Sequence, residues 1–353
     1  MPQRRYLATF AAGFEPVIGE ILAESVVGSR VVRVESGMVL FDYQGRFDKA
    51  AAIESFNNVF LVIREWKAVP RSFFDMVREA ETARMDDVAA ACRACGARSF
   101  RVRFSRENAF ESVDKKITAA AERLVSEGTG LASDRFSPGI EFWFIARREG
   151  YGCFALRLTR KQSAEKRLAQ GELRPEICRL AIALAGIGEG ARILVDPFAG
   201  HGAIPDALAR VFPEATVHAS DASADLASEL ERRFAGNGSR VSVHRCDALE
   251  LSYCPDGSVD AIVTDPPWGE WEGSSFGRAR SLAELYRSML AEFDRVLAPS
   301  GKACVLTGAK REFEEALAGI PAFSDSAGKE GFRTDILVNG KKCAVFVITR
   351  SAR

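Results

Sequence analysis

A chain of 353 residues, 47% hydrophobic and 27% charged, exceeds one typical domain and describes an ordinary globular protein of two or three. Its 48 basic and 48 acidic residues cancel, and its eight cysteines are too dispersed for a disulfide framework, so free thiols are expected, the Cys92–Cys95 pair included. The start, with Arg4 and Arg5 before an apolar stretch broken by Glu15, is not a secretory signal, and the longest apolar run, Leu180 to Gly188, is too short for a bilayer; a cytoplasmic location without membrane attachment is the expectation.

The first 97 residues read as strand, helix, strand, strand, helix, strand: Tyr6–Phe10, Glu15–Glu24, Val31–Val34, Met38–Phe41, Asp48–Phe56 and Val59–Trp66. That order suits a small α+β domain of the split βαβ kind. A charged, Ala-rich stretch runs on to Arg98. Residues 98–160 open on the alternating strand Phe100–Phe104 and continue with a helix over Ser112–Ser126. They close on strands Ile140–Ala146 and Cys153–Leu158 around a turn at Glu149-Gly150.

A basic tract follows: Arg157, Arg160, Lys161, Lys166 and Arg167, with residues 161–174 as a linker ending in Gly171-Glu172-Leu173-Arg174 before Pro175. Residues 98–174 hold 16 basic and 10 acidic side chains, against 20 and 25 over residues 175–353. A local basic surface matters more to a polyanion than the sum over the chain.

Pro175 fits the first position of a helix over Glu176–Ala185. From Ala191 strands and helices alternate: Ile193–Asp196, Ile204–Phe212, Thr216–Ser220, Ser223–Phe234, Val241–His244, Ala261–Thr264, Leu282–Leu297, Ala303–Thr307 and Glu312–Leu317. This is the α/β pattern of a doubly wound sheet. The strands Asp335–Val338 and Cys343–Thr349 flank Asn339-Gly340, a hairpin signal. A closing antiparallel hairpin belongs to a class I (Rossmann-like) methyltransferase sheet, not to a plain dinucleotide fold.

Asp196-Pro197-Phe198-Ala199-Gly200-His201-Gly202 reads as a cofactor loop. The glycines let the backbone approach a ligand closely. Gly-x-Gly also serves dinucleotides, but a carboxylate at Asp196 would repel a pyrophosphate and suits the ammonium of S-adenosylmethionine. Asp221, at the next strand end, is positioned for ribose hydroxyls, and Asp247, after the third strand, for the adenine amine. Cofactor contacts are therefore expected from Asp196, Phe198, Gly200, Gly202, Asp221, Asp247 and Asp265. His201 reads as a surface loop histidine.

Thr264-Asp265-Pro266-Pro267-Trp268-Gly269 follows the apolar run Val259–Val263. The prolines stiffen the backbone, and the carboxylate of Asp265 and the carbonyl of Pro266 can each accept a hydrogen bond from an exocyclic amine. The indole of Trp268 offers a face for a flat base. Asp265, Pro266 and Trp268 are the expected catalytic residues, and methyl transfer to an amino nitrogen of a nucleobase is the expected chemistry. Residues 270–279, with Trp271 and Phe276, read as a flap over the substrate.

The Asp196-Pro-Phe-Ala-Gly-His-Gly-Ala-Ile run, Gly171-Glu-Leu-Arg-Pro175 and Asp265-Pro-Pro-Trp268 resemble the motifs of THUMP-domain RNA guanosine N2-methyltransferases, and Leu7–Glu15 is similar to the start of their N-terminal domain. The resemblance covers essentially the whole chain. It implies an N-terminal ferredoxin-like domain over residues 1–97, a THUMP RNA-binding domain over 98–160 and a catalytic domain over 175–353. It also implies tRNA, held by its acceptor end, as substrate, with S-adenosylmethionine as cofactor. Two positions depart from the family pattern: Trp268 stands where tyrosine or phenylalanine is usual, and His201 replaces a small residue. Asp-Pro-Pro-Trp also occurs in adenine N6-methyltransferases. Ribosomal RNA as substrate, adenine as target, and a non-catalytic RNA-binding protein are the other readings; a monomer is the default.

Overall fold

The computed structural model describes residues 3–159, 168–169, 171–236, 239–269, 281–326, 328–329, 331–338 and 340–351. The chain divides into two compact units, one of residues 1–10 and 18–162, the other of residues 11–17 and 163–353.

The first unit is built on one sheet. Its strands are β1 (Arg4–Thr9), β2 (Arg30–Glu35), β3 (Met38–Tyr43), β4 (Asn58–Trp66), β5 (Ser99–Arg106), β6 (Ala109–Phe110), β7 (Ala132–Ser133), β8 (Ile140–Ala146) and β9 (Gly152–Arg157). They run in the order β2-β3-β1-β4-β9-β8-β5-β6, with β7 also on β5. The helices α1 (Ile18–Ser25) and α2 (Phe47–Ala51) complete the βαββαβ order expected for the first 97 residues. β4 pairs antiparallel with β9, so residues 1–97 and 98–160, expected as separate domains, contribute to the same sheet.

Two helices in the Ala-rich stretch, α3 (Phe73–Ala80) and α4 (Asp86–Ala94), escape the periodicity reading. α3 starts at Ser72, whose hydroxyl accepts the amide of Asp75. With α5 (Lys115–Thr129) it covers one face of the sheet. Alternation along β5 and β8 gives that face its core: Phe100, Phe104, Phe142 and Phe144 point to it, with Phe154 of β9 stacked on Phe144 at 4.5 Å between ring centres. The opposite residues, Arg101, Arg103, Glu141 and Trp143, are half-buried.

The second unit carries a seven-stranded sheet in the order β12-β11-β10-β13-β14-β16-β15. These are β10 (Ile193–Asp196), β11 (Thr216–Asp221), β12 (Val241–Arg245), β13 (Val259–Thr264), β14 (Leu297–Thr307), β15 (Arg333–Val338) and β16 (Lys341–Thr349). β10 to β14 are parallel, and β16 enters antiparallel between β14 and β15. The closing hairpin distinguishes this class I methyltransferase order from a dinucleotide-binding sheet. Helices α6 (Pro175–Ala185), α7 (Ala203–Val211), α8 (Ala224–Phe234), α9 (Leu282–Val296) and α10 (Lys310–Leu317) belong to this unit. Its largest core joins β13, β14 and β16 to α9 and α10 through Ile262, Val305, Phe346, Tyr286, Phe293 and Phe313.

Sequence reading places β14 at Ala303–Thr307, but the strand begins at Leu297 and passes Ser300 at φ 65°. The run Glu15–Glu24 splits into a short 3-10 turn, Glu15–Val17, in the second unit and α1 in the first. All eight cysteines are free thiols. Among the described residues no helix is long and apolar enough to cross a membrane, and no group of three His, Cys, Asp or Glu side chains could hold a metal ion.

Candidate active site

Parallel strands of a doubly wound sheet deliver their C-terminal ends to one edge, where ligands bind. Here those ends are Asp196 of β10, Asp221 of β11 and Asp265 just past β13.

Asp196 is 1% exposed. Its Oδ1 accepts the Thr264 hydroxyl at 2.8 Å and the Phe198 amide at 3.2 Å. Its Oδ2 is buried with no hydrogen-bond partner among the described residues. Buried polar atoms are nearly always paired, so an unpaired carboxylate oxygen at a ligand edge calls for a donor from outside the chain. Burial pushes the Asp196 carboxyl up to about 8, against the lowering effect of Thr264 and the Phe198 amide; the charges of Asp265 and Asp221 add to the rise. A cation placed at Oδ2 would return it to the ionised form.

Asp221 organises the loop itself. Its Oδ2 accepts the Gly200 amide at 3.1 Å and its Oδ1 the Ser223 amide at 2.9 Å, ahead of α8. A carboxylate has about four acceptor positions, so two remain for hydroxyls. Gly202, at φ 89°, precedes α7, and a Cβ there would lie 2.9 Å from Leu230 Cδ2 and 3.0 Å from Phe234 Cε2 of α8. Only glycine meets both demands. Phe198 is half-buried against the core of the sheet. Asp247 accepts the Leu249 amide at 3.1 Å, an Asx turn after β12.

His201 is engaged, not free: its Nδ1 lies 3.0 Å from Glu229 Oε1, and its carbonyl accepts from Arg233. Arg233 also pairs with Glu172 at 3.2 Å, which ties the Gly171-Glu172-Leu173-Arg174 approach to the cofactor loop.

Asp265 is half-buried, and its Oδ1 accepts the Trp268 indole N–H at 2.8 Å. Burial raises its pKa to about 7, with the Trp268 hydrogen bond acting in the lowering direction. The structure therefore gives Trp268 a hydrogen-bonding contact besides the stacking role expected of it. The next carbonyl, of Pro267, accepts the Tyr286 hydroxyl at 2.9 Å. Tyr286 has one proton and gives it to that carbonyl, so Thr307 Oγ1, 2.7 Å away, must be the donor to Tyr286. Thr307 Oγ1 in turn accepts the Ala309 amide at 3.0 Å. One directed chain thus runs from the end of β14 through α9 to the Asp-Pro-Pro-Trp turn. Tyr286→Phe removes its central link and leaves buried polar atoms unpaired. We expect a loss of about 1–2 kcal/mol in chemical denaturation; unchanged stability would show that the chain does not hold the turn.

The sequence reading gives no role to Thr264, Tyr286 or Thr307. Thr264 had a signal, since it directly precedes Asp265; the other two lie more than fifteen residues away in sequence and meet the turn only in the fold. The expected flap, residues 270–279 with Trp271 and Phe276, and the basic residues Arg160, Lys161, Lys166 and Arg167 lie outside the described residues.

The strand ends thus bring together a buried carboxylate, Asp196, and a second carboxylate, Asp265, on a proline-stiffened turn. Residues 164–325 match the family described as RMKL-like, methyltransferase domain. The chain is 31% identical over 172 residues to tRNA (guanine(6)-N(2))-methyltransferase THUMP3 of Homo sapiens, covering 45% of this chain and 32% of that protein. It is 40% identical over 82 residues to the release factor glutamine methyltransferase of Streptomyces coelicolor, covering 22% of this chain and 28% of that one. The chain thus spans about a third of the length of these curated relatives. Among solved structures, TrmN from Thermus thermophilus is similar, with TM-score 0.75 and 23% identity over 98% of this chain and 99% of that one. That similarity establishes the shared fold.

Proposed function

From the match of residues 164–325 to the RMKL-like methyltransferase domain we propose that this chain is an S-adenosylmethionine-dependent enzyme that methylates the exocyclic N2 amine of a guanosine in tRNA. The observation that carries the proposal is Asp265, a carboxylate with one oxygen fixed by Trp268, on a proline-stiffened turn one residue beyond Thr264, which anchors Asp196.

Asp196 fits the ammonium of the cofactor through its unpaired Oδ2, and the Gly200–Gly202 backbone fits close approach of the same molecule. Asp221 would take the ribose hydroxyls and Asp247 the adenine edge, with Phe198 packing beside them. When bound, S-adenosylmethionine supplies an electrophilic methyl group on a sulfonium. An exocyclic amine is a poor nucleophile because its lone pair is delocalised into the ring. Asp265 and the Pro266 carbonyl, by accepting its two hydrogens, favour a pyramidal nitrogen and aim its lone pair. The amine proton becomes acidic on alkylation, and Asp265, with a pKa of about 7, is suited to receive it. In a duplex the base must be flipped out to reach the turn.

We read residues 1–97 as the ferredoxin-like domain, 98–160 as the THUMP domain, 161–174 as a basic linker and 175–353 as the catalytic domain, acting in the cytoplasm on the tRNA acceptor end. One face of β5, β8 and β9 supports RNA as the partner. Glu141 is surrounded by Arg101, Arg103 and Arg157, leaving a positive balance. Arg103 lies over the exposed Phe110 ring at 4.8 Å, and Phe110 packs on Trp143 at 5.0 Å. Guanidinium groups beside aromatic faces suit phosphates and unpaired bases.

A second reading, a protein glutamine amide as acceptor, is favoured by the 40% identity over 82 residues to the release factor enzyme, and the chemistry at Asp265 would be the same. The two readings part on RNA binding. The double substitution Arg103→Gln with Phe110→Ser should weaken binding to unmodified tRNA by roughly 10-fold and lower the salt slope by about 1. Wild-type protein that does not bind tRNA, or a slope unaffected by the substitutions, would move the proposal to the protein acceptor or to another RNA surface.

A further inference from the structure

Residue 268 has two properties that an aromatic ring for stacking does not need. Its Nε1 donates to Asp265 Oδ1 at 2.8 Å, and the six-membered part of its indole sits against Gly308, where a Cβ would fall 2.7 Å from Trp268 Cε3 and 3.2 Å from Cδ2. The three atoms nearest to such a Cβ all belong to the indole, which therefore occupies the space a side chain would take. The turn on which Trp268 stands is fixed at the preceding carbonyl by Tyr286 and Thr307. The ring is therefore held at one edge, and its N–H is aimed by the backbone and by Gly308 together. Phenylalanine at this position would keep an aromatic face and lose the donor.

We propose that Trp268 is a positioning residue, whose indole N–H turns and holds the Asp265 carboxylate so that its second oxygen is presented to the acceptor amine. This rests on the reading of Asp265 as the acceptor of amine hydrogens. The surroundings explain why a donor is needed. The Asp265 charge disfavours the ionisation of Cys178 of α6, Asp196 of β10 and Tyr286 of α9, and none of these three neighbours is cationic. Burial disfavours the Asp265 anion, and the Trp268 hydrogen bond acts in the opposite direction. Without the indole N–H the carboxyl stays protonated to higher pH, and a protonated carboxyl accepts poorly.

The test has one arm that needs no substrate. In the full chain labelled with nitrogen-15, the four tryptophans give four indole N–H signals, and Trp268→Phe identifies the one of interest. That signal should titrate with a midpoint near 7 and lose the step in Asp265→Asn. A Trp268 signal indifferent to pH overturns the proposal, whatever the substrate of the enzyme. The second arm is the pH dependence of kcat for methyl transfer. Trp268→Phe should move the acid limb up by about one pH unit, a loss of roughly 10-fold on that limb. Gly308→Ala, which retains the indole but displaces it, should move the limb in the same direction. A residue that only stacked the base would raise KM and leave the limb in place, which also overturns the proposal. If wild-type protein methylates no RNA, the functional reading fails while the indole titration still decides the contact.

Discussion

Asp265→Asn is expected to reduce kcat for methyl transfer by roughly 10²–10³-fold, with cofactor affinity held within about threefold. The amide oxygen of Asn can still accept the Trp268 N–H, so the turn should keep its shape. What is lost is the negative charge toward which the amine hydrogens are drawn and the base that takes up the released proton. Asp265 does not contact the Gly200–Gly202 loop through any hydrogen bond among the described residues, and Asp196 keeps Thr264 and the Phe198 amide. Single-turnover rates with saturating cofactor, together with equilibrium cofactor binding, separate the two effects. Retained turnover removes Asp265 from the mechanism. A collapse of cofactor binding makes it part of the cofactor site instead.

The second large effect concerns Asp196. Asp196→Asn is expected to weaken S-adenosylmethionine binding by roughly 10–100-fold, the loss of one charge-assisted hydrogen bond. The same substitution should stabilise the protein in the absence of cofactor at neutral and higher pH. The folded-state value of about 8 lies above the ordinary carboxyl value of 3.8, so between them the folded chain holds a proton that the unfolded chain has released. Stability therefore falls as pH rises through this range, opposite to the usual behaviour of a paired aspartate. The Tm of cofactor-free wild type should decline from pH 5 to 9, more steeply than that of Asp196→Asn. An identical slope in the variant would show that the buried carboxylate is not its source. A binding site that costs the empty protein stability and recovers it with ligand is a familiar arrangement.

Much of the second unit was legible because its signals are local. Ile193–Asp196 is delimited by an apolar run and a carboxylate, and the Gly200-His201-Gly202 turn opens α7. Ser223 and Ser281 cap α8 and α9 through the amides of Leu226 and Glu284, as helix starts with serine do. Helix α3 carries a local mark that the periodicity reading passed over, Phe73, Met76, Val77 and Ala80 at helical spacing after the Ser72 cap. The rest of what escaped depends on distant partners: α4 lies in a charged, Ala-rich stretch and packs on α5. The pairing of β4 with β9 joins residues almost a hundred positions apart and has no local mark. Trp268 shows the same limit on a smaller scale. Its aromatic character was readable, but its bond to Asp265 depends on a ring orientation set by Gly308, forty residues later.

The most direct measurement is transfer of labelled methyl from S-adenosylmethionine into bulk tRNA lacking native modifications, followed by digestion to nucleosides. Label is expected in N2-methylguanosine with wild type, and at a strongly reduced rate with Asp265→Asn. Label in N6-methyladenosine would contradict guanine as the target base, and label confined to protein, with none in RNA, would contradict RNA methylation altogether.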